Sequence, residues 1–207
     1  MLRQVTIFVM VGTFLIGAYY VGVSSYVAPE QQNRLASSLD EFQAGLTYEK
    51  IVTLDERERA TLVQSMPSGV VRMIMSEAKL HPSFVSESID DIREQSLSDD
   101  VTFSKLTQIA GLKGYDASGT AVLVHAGSKT FLRLDEFGVT PGIDQRLYLT
   151  KDGSASSGID LGLLKASSGS QNYDVSGIDL DEYNILIIYS KTLDTHYAHA
   201  RLAKSDI

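Results

Sequence analysis

Thr120-Ala-Val-Leu-Val124, Ala126-Gly-Ser128 and Thr130-Phe-Leu-Arg-Leu134 follow one another in the C-terminal half of the chain, and their reading decides the fold class. The outer segments are short, rich in β-branched and aliphatic residues, and the second alternates in polarity. The middle one is a turn signal. Short apolar or alternating runs bounded by small polar residues read as strands joined by turns. The same pattern continues downstream. Gln145–Thr150 is a strand after the turn signal Pro141-Gly142, and Lys151–Gly158 is a polar loop. Ile185-Leu-Ile-Ile-Tyr189 is apolar throughout, which fits a central strand covered on both faces, and Thr195–Leu202 is a last strand. Several short strands with turns between them predict an all-β antiparallel sandwich or barrel-like domain over residues 113–207.

Upstream the period changes. Ser96–Asp100 is polar and acidic, and residues 98–112 read as a linker. Residues 30–97 read as a helical stalk. Leu35, Leu39, Phe42 and Leu46 follow a helical period, with Gly45 near its end. Thr53 and Glu56 have the spacing of a capping box opening a second helix, which stops at Met66-Pro67. Ser68 is placed to cap a third, with Val70, Val71, Ile74, Met75 and Ala78 on its apolar side, ending before His81-Pro82. A fourth is expected over 83–95, using Val85, Ile89 and Ile92.

At the start of the chain, the 25 residues from Val5 to Pro29 include no charged side chain. As a helix they reach about 37 Å, against a hydrocarbon core of about 30 Å. Gly12, Gly17 and Gly22 are tolerated in such a span, and Tyr19, Tyr20 and Tyr26 lie toward its far end, where an aromatic belt belongs. A cleaved signal peptide would have a shorter apolar region and small residues before the cut. Tyr26-Val27-Ala28 ahead of Pro29 does not supply them. Residues 1–29 therefore read as an uncleaved, single-pass anchor whose partner is the lipid bilayer through residues 5–29. Arg3 precedes the span and Glu30, Arg34, Asp40 and Glu41 follow it, so the positive-inside rule puts the C-terminal domain on the extracytoplasmic side.

Composition removes several function classes. The net charge is −8 and no Lys/Arg run is present, which excludes a nucleic-acid partner. With 0 cysteines, disulfides, zinc thiolates, thiol nucleophiles and Cys-ligated clusters are excluded. No G-x-S-x-G, H-E-x-x-H, P-loop or dinucleotide fingerprint occurs, so the chain is not read as an enzyme.

The β-rich part also carries a family resemblance. Gly119-Thr-Ala121, Phe131-Leu-Arg-Leu-Asp-Glu-Phe137, Leu147-Tyr-Leu-Thr150, Ile159-Asp-Leu-Gly-Leu-Leu-Lys165, Gly169-Ser-Gln-Asn-Tyr173, Leu180–Tyr189 and Ala198-His-Ala-Arg-Leu202 stand in an order that resembles the DM13 domain, over about residues 113–205. The resemblance implies a DOMON-like β-sandwich on a secreted or membrane-tethered protein. It also implies extracytoplasmic electron transfer through a near-invariant late cysteine. That position is Ser190 here, and a serine hydroxyl has neither the reversible oxidation nor the soft-metal affinity of a thiolate. The family's Pro-Asp turn is altered to Pro141-Gly142-Ile143-Asp144.

Candidate ligands are few. His125, His196 and His199 lie in the β-rich part, and imidazoles suit copper or haem iron. On a regular strand the spacing of His196 and His199 puts them on opposite faces, so sharing a metal requires a bulge or bend. Met66, Met73, Met75 and His81 are soft enough for Cu(I), but Met73 and Met75 point about 200° apart on a helix and read as core filling. Asp160, Asp174, Asp179 and Asp181 lack EF-hand spacing and read as turn carboxylates. Tyr148, Tyr173, Tyr183, Tyr189 and Tyr197 could relay electrons or line a pocket, and fit equally as half-buried strand residues. Two functions follow. One is a non-catalytic binding or assembly module with a membrane-protein or extracytoplasmic partner. The alternative is an electron-transfer component using a bound metal or haem in place of the cysteine. Proteolysis of sealed right-side-out vesicles is expected to digest the C-terminal domain; its protection would reverse the assigned orientation.

Overall fold

The helices follow the apolar spacing, and their ends follow local hydrogen bonding. The computed structural model describes residues 30, 32–112 and 114–202. Helix α1 covers 32–42 and buries Leu35 and Leu39. The turn after it contains Gly45 at φ 72°, whose N–H donates to Asp40 Oδ1 at 2.7 Å. Thr47 opens α2 (Tyr48–Thr53), its hydroxyl accepting from the Lys50 N–H. The expected capping box at Thr53 does not form. Thr53 ends α2 and turns its hydroxyl onto the Lys50 carbonyl, and Asp55 instead caps α3 (Glu56–Ser65) by accepting from the Glu58 N–H at 2.9 Å. Helix α4 (Ser68–Ala78) includes Ser68, the expected cap, as its first residue, because the Pro67 carbonyl already accepts from the N–H groups of Val70 and Val71.

The described residues fall into two compact units, 30–53 with 66–77 and 54–65 with 78–202. The stretch 30–97, expected as one helical stalk, is therefore divided: α3 and everything from residue 78 onward belong to the β-rich unit. Among the described residues no helix is long and apolar enough to cross a membrane, and the anchor expected over 5–29 lies outside them.

Two further expectations give way where long-range pairing overrides local pattern. The fourth helix, expected over 83–95, is instead strand β1 (Phe84–Ser86) followed by α5 (Ile89–Ser96). Strand β1 runs parallel to β8 (Ser168–Asp174), a partner more than eighty residues away. The Arg133 guanidinium donates to the Glu87 carbonyl, and Ser88 and Asp91 form the capping box that starts α5. Residues 98–112, expected as a linker, contain β2 (Val101–Gln108) and β3 (Ala110–Gly111). Strand β2 pairs with β4 (Ala117–Ala126) and β3 with β10 (Thr195–Arg201), so this segment passes from one sheet to the other around buried Ile109.

The remaining strands are β5 (Lys129–Val139), β6 (Gln145–Thr150), β7 (Ile159–Leu163) and β9 (Ile185–Ser190). They complete two five-stranded sheets in the orders β1-β8-β5-β4-β2 and β3-β10-β9-β6-β7. The opening segments form the β4–β5 hairpin, whose two-residue turn has Gly127 at φ 59°. As expected from its unbroken apolar run, β9 is the middle strand of its sheet. Leu123, Leu132 and Leu134 of the first sheet and Leu147, Leu149, Leu186 and Ile188 of the second belong to one buried core, the inside of a sandwich-like fold. Fully burying each such side chain contributes about 1.5–3 kcal/mol. Helix α5 covers the outside of the first sheet, packing Ile92 with Val122, Val124 and Phe131.

Gly169 is what lets β1 approach. It sits at φ 101°, and a Cβ there would stand 1.8 Å from the Val85 carbonyl oxygen. Gly169→Ala is expected to destabilise the full chain by at least the ~1–3 kcal/mol of overpacking, read as a lowered urea midpoint; an unchanged midpoint would contradict this packing.

Candidate functional site

Ser190 ends β9 with its side chain on the core side and 0% exposed. Its hydroxyl accepts from the Leu193 N–H at 3.2 Å, inside the tight connection from β9 to β10. Thr195 donates to the Leu193 carbonyl, and Asp194 adopts φ 45°. The position at which the family resemblance places its thiol is thus used to fix a turn, with no route to solvent.

The turn returns the chain into β10, where a bulge changes the faces. His196 pairs with Tyr189 and Ala198 with Ile188, which leaves Tyr197 as the extra residue. Tyr197 and Ala198 both enter the core, and the Tyr197 ring meets Tyr115 at 4.3 Å between centroids. It lies so close over Gly142 that a Cβ there would be 2.3 Å from its hydroxyl oxygen. His199 then pairs with Ile187. His196 and His199 therefore share the outer face of the second sheet, the arrangement for which a bulge is required.

His125 does not join them. It lies in β4 of the other sheet, and its Nε2 and Nδ1 meet Ser104 Oγ at 2.7 Å and Thr130 Oγ1 at 3.1 Å. A hydroxyl can serve either ring nitrogen as donor or acceptor, so both nitrogens are occupied. Among the described residues no three His, Asp or Glu groups converge as a metal site. The aspartates serve locally. Asp160 binds Arg146 and the Gly162 N–H, and Asp174 accepts from the Ser176 N–H. Asp179 accepts from the Asp181 and Glu182 N–H groups, and Asp181 pairs with Lys105. Met66 and Met73 belong to the first unit and His81 to the second; Met66 is buried and Met73 lies beside the Ser38 hydroxyl.

The tyrosines separate into two groups. Tyr173 is a core residue whose hydroxyl donates to Gln171 Oε1 at 2.7 Å, and Tyr197 is a core residue as described. Tyr183 is half-buried beneath the Lys151 ammonium. Tyr148 and Tyr189 instead stand on the outer face of the second sheet. Their ring centroids are 6.1 Å apart, edge to face, and Tyr189 lies 4.8 Å from the His196 ring. The Tyr189 hydroxyl donates to Asp194 Oδ1 at 2.7 Å. Burial, followed by that hydrogen bond and the Asp194 charge, pushes its phenol up to about 12. Burial, then the Asp160 charge, pushes the Tyr148 phenol up to about 12 as well. Each phenol of the pair is therefore held protonated beside its own carboxylate.

One end of this face is held by charges. Arg146 pairs with Asp160 at 2.8 Å and with Glu56 of α3 at 3.0 Å. Asp144, with its side chain fully buried, accepts from Thr192 Oγ1 at 2.9 Å and meets Arg59 of α3 at 3.4 Å. Neither Arg146 nor Asp144 stands out in the sequence, because their partners come from α3 and from the β9–β10 turn. The bulge did leave a signal: Tyr197-Ala198 puts two adjacent core-type residues where a regular strand alternates.

The geometry defines a two-sheet β-sandwich domain with an aromatic row on one outer face. Residues 111–202 match the family model described as Electron transfer DM13. No curated protein and no solved structure matches the chain.

Ser190→Cys is expected to fold, and its thiol to react with a maleimide only as the chain unfolds globally. Fast labelling of the native variant would show that the position is open.

Proposed function

We propose that this chain is a membrane-tethered, extracytoplasmic DM13 module whose sandwich serves binding or assembly and does not catalyse a reaction. The observation that carries this reading is the edge of the first sheet. Strand β2 is its last strand among the described residues, and it presents Phe103 at 59% and Leu106 at 67% exposure. Natural edge strands are usually blunted with charge, proline or a bulge, because an open ladder beside apolar side chains pairs with another chain; in β2 a bulge between Ser104 and Thr107 interrupts the ladder at Lys105 but leaves the two apolar side chains in the open. An added strand would gain main-chain hydrogen bonds along part of β2, with Phe103 and Leu106 giving it apolar contacts. The structural use of Ser190 supports the same reading, since it takes the family's thiol position out of redox chemistry. The uncharged run 5–29 supports the tether, and its flanking charges support the extracytoplasmic side.

A second reading is favoured by one observation. The bulge at Tyr197 sets His196 and His199 on a common face, where two imidazoles offer part of a copper or haem site to an electron-transfer component. An optical spectrum of the protein purified from its native membrane tests it; no visible band and no stoichiometric metal would remove it.

For the first reading, mild detergent extraction is expected to yield a stable complex or oligomer, and Phe103→Lys with Leu106→Lys to release the partner without lowering the melting temperature. A strict monomer before substitution would contradict the assembly role.

A further inference from the structure

The open edge of β2 also shows what kind of chain would sit on it. Its far end is closed. There Lys105, at the bulge, turns its ammonium back onto the Leu180 carbonyl at 3.0 Å and Asp181 Oδ1 at 2.8 Å. A bulge and an inward-turned charge both blunt an edge. The stretch left open is 101–104, which pairs with β4 without a break from Val101↔Ala126 to Ser104↔Leu123.

The chain enters this stretch through Leu97, Ser98, Asp99 and Asp100. Leu97 caps α5 at φ 54° and is 93% exposed. The left-handed region costs a leucine stability that a glycine would keep, and at this exposure no packing within the domain offsets it. Asp99, Asp100 and Glu94 are exposed, and among the described residues none of their carboxylates has an ion-pair partner. The run 94–106 thus offers an open ladder, the exposed side chains of Leu97, Phe103 and Leu106, and carboxylates with no cation of their own.

Each feature narrows the occupant. The ladder takes an extended segment, the apolar side chains take apolar ones, and the carboxylates take lysine or arginine. A second copy of this chain brings the same acids, and its net charge of −8 adds repulsion. Lipid surfaces are neutral or anionic, so the same charges disfavour them. Resting on the assembly reading, we propose that the edge of β2 binds a short extended segment of a partner protein in which apolar residues adjoin lysine or arginine. Main-chain hydrogen bonds form along 101–104, the apolar residues cover Phe103, and the cations face Asp99 and Asp100. The carboxylates at the entry admit a basic strand and turn away a second copy.

The test uses the full chain in detergent and fluorescence anisotropy with three labelled peptides. One alternates lysine and valine, one has glutamate for lysine, and one is the lysine peptide N-methylated at alternate residues, which cannot complete a ladder. Binding is expected for the first alone, and added salt is expected to weaken it. Asp99→Asn with Asp100→Asn is expected to weaken it by on the order of tenfold at low salt, the scale of two exposed ion pairs. Asp116→Asn with Glu136→Gln removes the same charge at the opposite end of the β4–β5 hairpin and is expected to leave binding unchanged. Leu97→Gly is expected to raise the urea midpoint and yet weaken binding, which separates contact from folding. Equal affinity for the lysine and glutamate peptides, or unchanged affinity in Asp99→Asn with Asp100→Asn or in Leu97→Gly, would overturn the proposal. So would dimerisation of the unsubstituted chain in sedimentation that Phe103→Lys with Leu106→Lys abolishes, since the occupant would then be a second copy. The assembly reading is judged separately, by co-purification, and survives if a partner released by those two substitutions carries no basic strand.

Discussion

The extra residue at Tyr197 is the constraint on which this domain depends. A regular β10 would alternate its side chains between core and surface. With the bulge, Tyr197 and Ala198 both face inward against β9 and Tyr115. The core gains a large ring that packs over Gly142, where a side chain would collide with it. The surface gains His196 beside Tyr189, and His199 on the same face. A bulge re-aims side chains without ending the ladder, which is why β10 can close the sandwich and shape the outer face together.

The neighbouring turn shows how one position can change its use. In the family that the domain matches, the resemblance places a thiol at 190. Here Ser190 accepts from Leu193 in the turn between β9 and β10, and the same turn delivers Asp194 to the Tyr189 hydroxyl and Thr192 to the buried Asp144 carboxylate. Asp144 also meets Arg59 and Arg146 joins Glu56, so the turn and α3 share one polar network. A buried carboxylate of this kind must be paired; removing one partner leaves an uncompensated charge, which costs several kcal/mol. The network holds the end of the outer face in place, next to the aromatic row.

Much of the fold was legible in the sequence where local pattern and final pairing agree. The β4–β5 hairpin, β6, the central β9 and the last strand follow from alternation, turn residues and one unbroken apolar run. Leu35 and Leu39 likewise predict α1. The sequence failed where the deciding partner is distant. Strand β1 is three residues long and exists because β8 offers it a parallel ladder through Gly169, so a helical reading of Val85 and Ile89 was natural. Strand β2 was hidden by its bulge between Ser104 and Thr107, with Lys105 at φ 49°, which breaks the alternation of Val101, Phe103 and Leu106. Of the candidate site, the three histidines were visible but their faces were not. His125 is taken by Ser104 and Thr130 from two adjacent strands, and His196 and His199 meet on one face only because of Tyr197.

The central claim is that this single bulge assigns Tyr197 to the core and His196 to the outer face beside Tyr189. Nuclear Overhauser contacts between assigned aromatic side chains of the full chain test it most directly. Contacts are predicted between the Tyr197 and Tyr115 rings and between the Tyr189 and His196 rings. A Tyr197 ring in contact with Tyr189, with His196 against Tyr115, would mean a regular strand of opposite register and would contradict the account.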